Sequence, residues 1–148
     1  MKMTKKEIYI WFVIFAISTL AYSYIQDTLR PASKDYPNAV KYLLGVGPNY
    51  FAGVSLPAFF MFMAPYVVSS ERLENLTITR LRNISIIIAL TGLIIWETVQ
   101  LKSKNGYFDS HDIMWTFFGA FTFLIIQRLI QKKLKPAAAM TQKAKASK

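Results

Sequence analysis

Four apolar runs punctuate the chain, at residues 8–25, 50–68, 84–99 and 113–129. Each holds about 16 to 19 residues, close to the roughly 20 that an α-helix needs to cross a hydrocarbon core of about 30 Å. The pattern around each helix separates a soluble bundle from a membrane one, because a soluble helix keeps a polar stripe opposite its apolar face. "IYIWFVIFAISTLAY" and "ISIIIALTGLIIW" carry no charge on any face. The pattern predicts an all-α fold, an integral membrane bundle of four transmembrane helices forming a single domain over residues 1–133. The short spans predict helices with little tilt or a thin bilayer.

The connections orient the bundle. Lys2, Lys5 and Lys6 precede the first span, and Arg72, Arg80 and Arg82 lie between the second and third. The C-terminal stretch carries Arg128, Lys132, Lys133, Lys135, Lys143, Lys145 and Lys148. The other two connections, "QDTLRPASKDYPNAVKYLLGVGPN" and "LKSKNGYFDSHD", mix their Lys and Arg with Asp. An excess of Lys and Arg marks cytoplasmic segments, so both termini are expected in the cytoplasm of a multi-pass cell-membrane protein. The first of the mixed connections is long enough for a surface helix or lid, broken at Gly45, Gly47 and Pro48 before the second span.

Composition narrows the function classes. Of 148 residues 53% are hydrophobic and 15% aromatic, and the formal net charge is +10. The mean hydropathy is +0.29. Most of the positive charge falls on the expected cytoplasmic rim, where each basic residue attracts anionic lipid headgroups by about 1 kcal/mol. No soluble domain is left to carry that charge to DNA or RNA, so no nucleic-acid partner is expected. Residues 134–148, "KPAAAMTQKAKASK" with the preceding Leu134, have the small-polar composition of a basic disordered tail. The absence of cysteine excludes disulfides, Cys-ligated zinc and thiol catalysis. The basic start followed by an apolar run has the outline of a signal peptide, but the run is longer than such a region, and a retained first helix is expected.

Within the spans, Pro57 and Pro65 each remove a backbone hydrogen bond, making them candidate hinge positions or packing kinks. Tyr22, Tyr24, Tyr50, Trp96, Tyr107 and Trp115 fall near the expected outer ends, as an aromatic belt does. The glycosylation triplets at Asn75 and Asn83 fall on the expected cytoplasmic side and carry no meaning there.

The chemistry-bearing residues gather around the last hairpin. Glu97 and Gln100 share a helix face at i, i+3, about one turn from the outer end of the third span. Asp109 and Asp112 open the fourth span, where an N-cap Asp and a second acid in the first turn satisfy orphan amides and complement the helix dipole. A short outer hairpin places these groups, with His111, within reach of one another. Glu97 alone also fits an interfacial carboxylate paired with Lys102 or Lys104. One His without a second nitrogen ligand is a poor metal site, so neither metal nor cofactor is expected. Acid–base work on a lipid-linked substrate and simple binding of a polar headgroup both remain open.

This stretch resembles the VanZ-like membrane proteins. "ETVQ" supplies Glu97 and Gln100, "YFDSHD" supplies Phe108, Asp109 and Asp112, and "WTFFGAF" supplies Gly119. The chain departs from the family's pattern in three places. Lys102, Lys104 and Asn105 stand where a loop arginine is usual, Thr116 stands for an asparagine, and Lys41 and Tyr42 lie where an early histidine motif is usual. The resemblance implies a divergent family member in a bacterial cytoplasmic membrane, working at the outer leaflet. It implies binding or shielding of a lipid-linked envelope component or a lipophilic glycopeptide, as in antibiotic resistance to teicoplanin, and no assigned enzymatic reaction. In that role Glu97 and Gln100 would contact the ligand, Asp109 and Asp112 would orient the last helix, and Gly119 would allow close helix approach. The alternatives are a small transporter or channel hinged at Pro57 and Pro65, for which Glu97 lies shallow, and a non-catalytic subunit of a membrane complex.

Overall fold

The computed structural model describes residues 3–68, 76–100 and 110–146, with backbone alone for residue 100 and for residues 134–146. All regular elements among them are helical. Helix α1 (Lys5–Tyr24) continues into a π-helical turn (Ile25–Leu29), and a short 3₁₀ turn (Ser33–Asp35) leads to α2 (Asn38–Val67). Helices α3 (Ile78–Gln100) and α4 (Ser110–Ala146) follow. Each of the four contains a segment long and apolar enough to cross a membrane.

Helix α2 is the centre of the bundle. It packs extensively against α1 and α4 and less against α3, while α1 and α3 scarcely touch. Burial follows that layout: α2 is enclosed on several sides, at Val46, Gly53, Val54, Pro57, Ala58, Met61 and Ala64. The outer helices each bury one stripe at helical spacing, such as Ile78, Leu81, Ser85, Ala89 and Glu97 on α3 and Thr116, Ala120, Phe123 and Gln127 on α4. Their remaining faces present large apolar side chains outward, Ile17 and Leu20 on α1 and Ile87 and Ile95 on α3 among them. That inversion of the soluble pattern suits hydrocarbon on the outside.

All four helices meet in one apolar cluster near the end that carries both chain termini. Trp11 stacks on Phe123 with ring centroids 5.2 Å apart. Ala58, Met61, Ala64, Ile78 and Leu81 close around them. Local chemistry fixes the start of α1: the Glu7 N–H donates to Thr4 Oγ1 at 3.2 Å and the Thr4 N–H donates to Glu7 Oε2 at 2.7 Å, a complete capping box.

The crossing of α2 and α4 rests on two glycines. A Cβ on Gly53 would collide with the Thr116 carbonyl oxygen, and one on Gly119 with the Tyr50 carbonyl oxygen. Each glycine therefore points a Cα–H at a backbone carbonyl of the other helix, the reciprocal weak hydrogen bond of close helix pairs. Pro57, four residues after Gly53, has no N–H to donate to the Gly53 carbonyl, and it is fully buried at the same joint.

The elements run longer than the apolar patterns indicate. Gly45, Gly47 and Pro48 do not break the chain before the second span; they lie inside α2, which starts at Asn38. Tertiary packing overrides the breakers. Trp115 Nε1 donates to Tyr42 Oη at 3.1 Å, and the Tyr42 ring meets His111 edge-on at 5.9 Å, holding the extension against α4. Gly47 makes room for Ile25, whose Cδ1 would lie 3.3 Å from an added Cβ. With 30 residues, α2 is about 45 Å long at 1.5 Å per residue, so it overhangs a core of about 30 Å. Helix α4 likewise continues to Ala146, through the stretch whose composition reads as a disordered tail. Ala, Met, Gln and Lys, which dominate that stretch, are among the strongest helix formers.

Candidate functional site

The antiparallel order places the start of α1, the end of α2 and the start of α3 at the terminus-bearing end. The opposite, hairpin end gathers Tyr22, Tyr24, Tyr42, Tyr50, Trp96 and Trp115, and there the candidate site lies. Glu97 occupies the last full turn of α3 and is 6% exposed. It belongs to the inward stripe of α3 and does not project into the surroundings as its neighbours Ile95 and Trp96 do, both more than half exposed. A carboxylate placed so cannot snorkel freely, and it is not without a partner.

Asp112 stands half-buried in the first turn of α4, where a negative charge complements the helix dipole. Its carbonyl oxygen accepts from Thr116 Oγ1 at 3.0 Å. Thr116 is thus satisfied within its own helix. Asp112 and His111 each have a partner as well. Asp109 and the side chain of Gln100 lie outside the described residues, as do Tyr107, Phe108 and the lysines of the connection, so the expected meeting of Glu97 with Asp109 is not described. Among the described residues no group of three His, Asp or Glu side chains is arranged to hold a metal ion.

The other expected positions are packing positions. Gly119 lies at the α2–α4 crossing. Pro57 is buried beside it and Pro65 is half-buried nearer the terminus end, in a helix that stays continuous past both.

A second feature of the hairpin half carries no charged motif and is invisible to motif reading. Because α1 and α3 part company, a laterally open groove of about 410 Å³ runs between them over α2. Its deeper part has Phe15, Ala52, Leu56 and Leu93 beside Ser55, whose hydroxyl donates to the Ala52 carbonyl at 3.5 Å, and its upper part is polar, with Thr19, Asn49, Tyr22 and Trp96. The groove adjoins the Glu97 turn through Leu93 and Trp96. The only sequence signal for it is the presence of Thr19 and Asn49 in or beside apolar runs.

The terminus half contains a further polar contact. Arg82 Nη1 donates to Gln127 Oε1 at 3.3 Å, while Arg82 Nε and Nη2 donate to Asn83 Oδ1 at 2.9 and 2.7 Å. Gln127 is fully buried, and its Nε2 has no hydrogen-bond partner. Its signal was legible: Gln127 interrupts "FLIIQRLI" at helical spacing from Ala120 and Phe123.

The chain matches no family model, and no curated protein or solved structure matches it. The likeness to VanZ-like proteins therefore rests on the residues around the last hairpin.

Proposed function

We propose that the chain is a multi-pass bacterial cytoplasmic-membrane protein of the VanZ-like kind, with both termini in the cytoplasm and the hairpin end in the outer leaflet. Its polar cluster, Glu97 with Gln100, Asp109 and Asp112, binds or shields the polar head of an envelope amphiphile, either a lipid-linked wall component or a lipophilic glycopeptide. The observation that supports this reading best is the burial of Glu97 on the inward face of α3 beside an open groove. A carboxylate held inside the bundle at the depth of an aromatic belt is costly to bury, and such residues mark ligand or ion sites in membrane proteins. The basic residues described at the other end, Lys5, Lys6, Arg80, Arg128, Lys132 and Lys133, are exposed and suit anionic headgroups of the cytoplasmic leaflet.

The test is a strain carrying the protein or its Glu97→Gln variant, matched for membrane level, with susceptibility to teicoplanin as the readout. The protein is expected to reduce susceptibility and the variant to lose that effect. Equal susceptibility of the two strains, or no effect of the protein itself, would sink the proposal. Terminal fusions to a reporter active only in the cytoplasm test the orientation, and both are expected to be active.

A further inference from the structure

We infer that the groove between α1 and α3 holds one acyl chain of a glycerophospholipid from the leaflet at the hairpin end, with the ester region of that lipid hydrogen-bonded to Asn49. The inference rests on the membrane reading above and assigns the groove, which that reading leaves unassigned.

Three features of the groove select this occupant. Its volume of about 410 Å³ lies within the span of about 300–1,000 Å³ usual for ligand sites, and it is open along its side. A bilayer molecule can therefore enter without crossing water. Two lining positions are small: Gly92 on α3, where an added Cβ would meet nothing within 4 Å, and Ala52 on α2. A slot with Ala52 and Leu56 on its floor and Phe15 and Leu93 on its walls admits a single alkyl chain.

Polarity along the groove then orients the lipid. Among the described residues neither the Asn49 amide, the Thr19 hydroxyl nor the Tyr22 hydroxyl makes a side-chain hydrogen bond, although Asn49 and Thr19 are half-buried. At Ser85 and Thr122, by contrast, the hydroxyl is satisfied within its own helix, Ser85 to the Leu81 carbonyl at 2.9 Å and Thr122 to the Phe118 carbonyl at 3.0 Å. Polar groups in hydrocarbon need partners, and the ligand is the available one. Tyr22 and Trp96 mark the interfacial depth. Ester carbonyls of a glycerolipid lie at that depth and accept hydrogen bonds from an amide N–H, a phenol or an indole. The chain below them lies over Ala52 and Leu56.

The full-length protein in nanodiscs of phosphatidylethanolamine and phosphatidylglycerol, ejected intact into a native mass spectrometer, reads the occupancy directly. The wild type is expected to retain one phospholipid. Gly92→Phe, which fills open space, is expected to abolish retention, and Asn49→Leu to lower it about fivefold, the worth of one hydrogen bond. Gly45→Leu, also in open space but outside the groove lining, is expected to retain lipid as the wild type does. Retention unchanged in both groove variants, or no lipid on the wild type, overturns the inference. So does a dimer mass that Gly92→Phe dissolves, since a helix of a second copy would then be the occupant. Asn49→Leu keeps the branched shape of the side chain and keeps the test decisive if the Phe variant fails to fold. Teicoplanin susceptibility separates the two proposals: loss of lipid retention without any effect of Glu97→Gln would leave the groove standing and remove the headgroup cluster.

Discussion

Around Trp11 and Phe123 the four helices close on one another, whereas beyond Phe15 helices α1 and α3 separate and leave α2 uncovered between them. Polar groups differ in the same way. In the closed half Glu7 is tied into a capping box and Gln127 accepts from Arg82. In the open half Asn49 and Thr19 line a groove, and Glu97 is buried in the helix just past its lining residues Leu93 and Trp96. The closed half is built to hold the helices together, and the open half has polar surface that its own packing does not use. Stability and recognition are therefore expected to respond to different substitutions.

The joint between the halves carries the largest expected effect. Gly53→Ala and Gly119→Ala each place a methyl group against a backbone carbonyl, where no rotamer change relieves the contact. Each is expected to destabilise the bundle by about 3 kcal/mol, the upper part of the usual overpacking range. The double variant is expected to cost clearly less than the sum, because either methyl already separates α2 from α4. Reversible unfolding in mixed micelles measures all three. Additive costs would mean that the glycines act separately and that the crossing is not one joint.

Next in size is a direct contrast between the halves. Phe123→Ala removes a fully buried ring from the four-helix cluster and is expected to cost about 3 kcal/mol, the low end for aromatic truncation since the unfolded reference remains in lipid. Leu93→Ala, on the groove wall, is expected to cost under about 1 kcal/mol, because lipid chains fill the space it leaves. Equal costs would erase the distinction between a closed and an open half.

Much of this architecture could be read along the chain, and the parts that could not share one cause. The four spans were legible because each is apolar on every face, a local property. Glu97 was legible because a carboxylate at the end of an apolar run is conspicuous. The start of α2 was not, since Gly45, Gly47 and Pro48 are local breakers and the bond from Trp115 to Tyr42 that supports the helix spans 73 residues of sequence. Gly119 was identifiable as a small packing residue, but Gly53, its counterpart, became visible only once α2 and α4 were paired. The groove was the least legible feature, because it arises from two helices that fail to meet. No pattern within α1 or α3 encodes that absence.

A smaller effect is expected at the N-terminal cap. Thr4→Ala removes the acceptor for the Glu7 N–H and one partner of the Glu7 carboxylate, at an expected cost of about 1 kcal/mol. The loss belongs to the closed half alone and should leave lipid retention by the groove unchanged. A parallel fall in retention would show that the two halves are coupled through α1.

The smallest effect is the most discriminating in sign. Gln127 is fully buried with Nε2 unpartnered, so the amide brings the cost of an unsatisfied donor together with the benefit of one bond at 3.3 Å from Arg82. An unsatisfied buried donor costs about 1–3 kcal/mol, while a hydrogen bond from a charged donor contributes about 1.5–3 kcal/mol, so the two nearly cancel. Arg82 keeps both bonds to Asn83 when Gln127 is replaced. Gln127→Leu is therefore expected to change stability by no more than about 1 kcal/mol, and in the stabilising direction, because Leu adds packing against the neighbouring apolar cluster and leaves no orphan donor. A loss of 2 kcal/mol or more, on the scale of a broken charged bond, would show that Gln127 is a structural anchor for Arg82. The closed half would then hold its helices partly by polar contacts, and its difference from the groove half would narrow to whether those contacts are filled from within the chain.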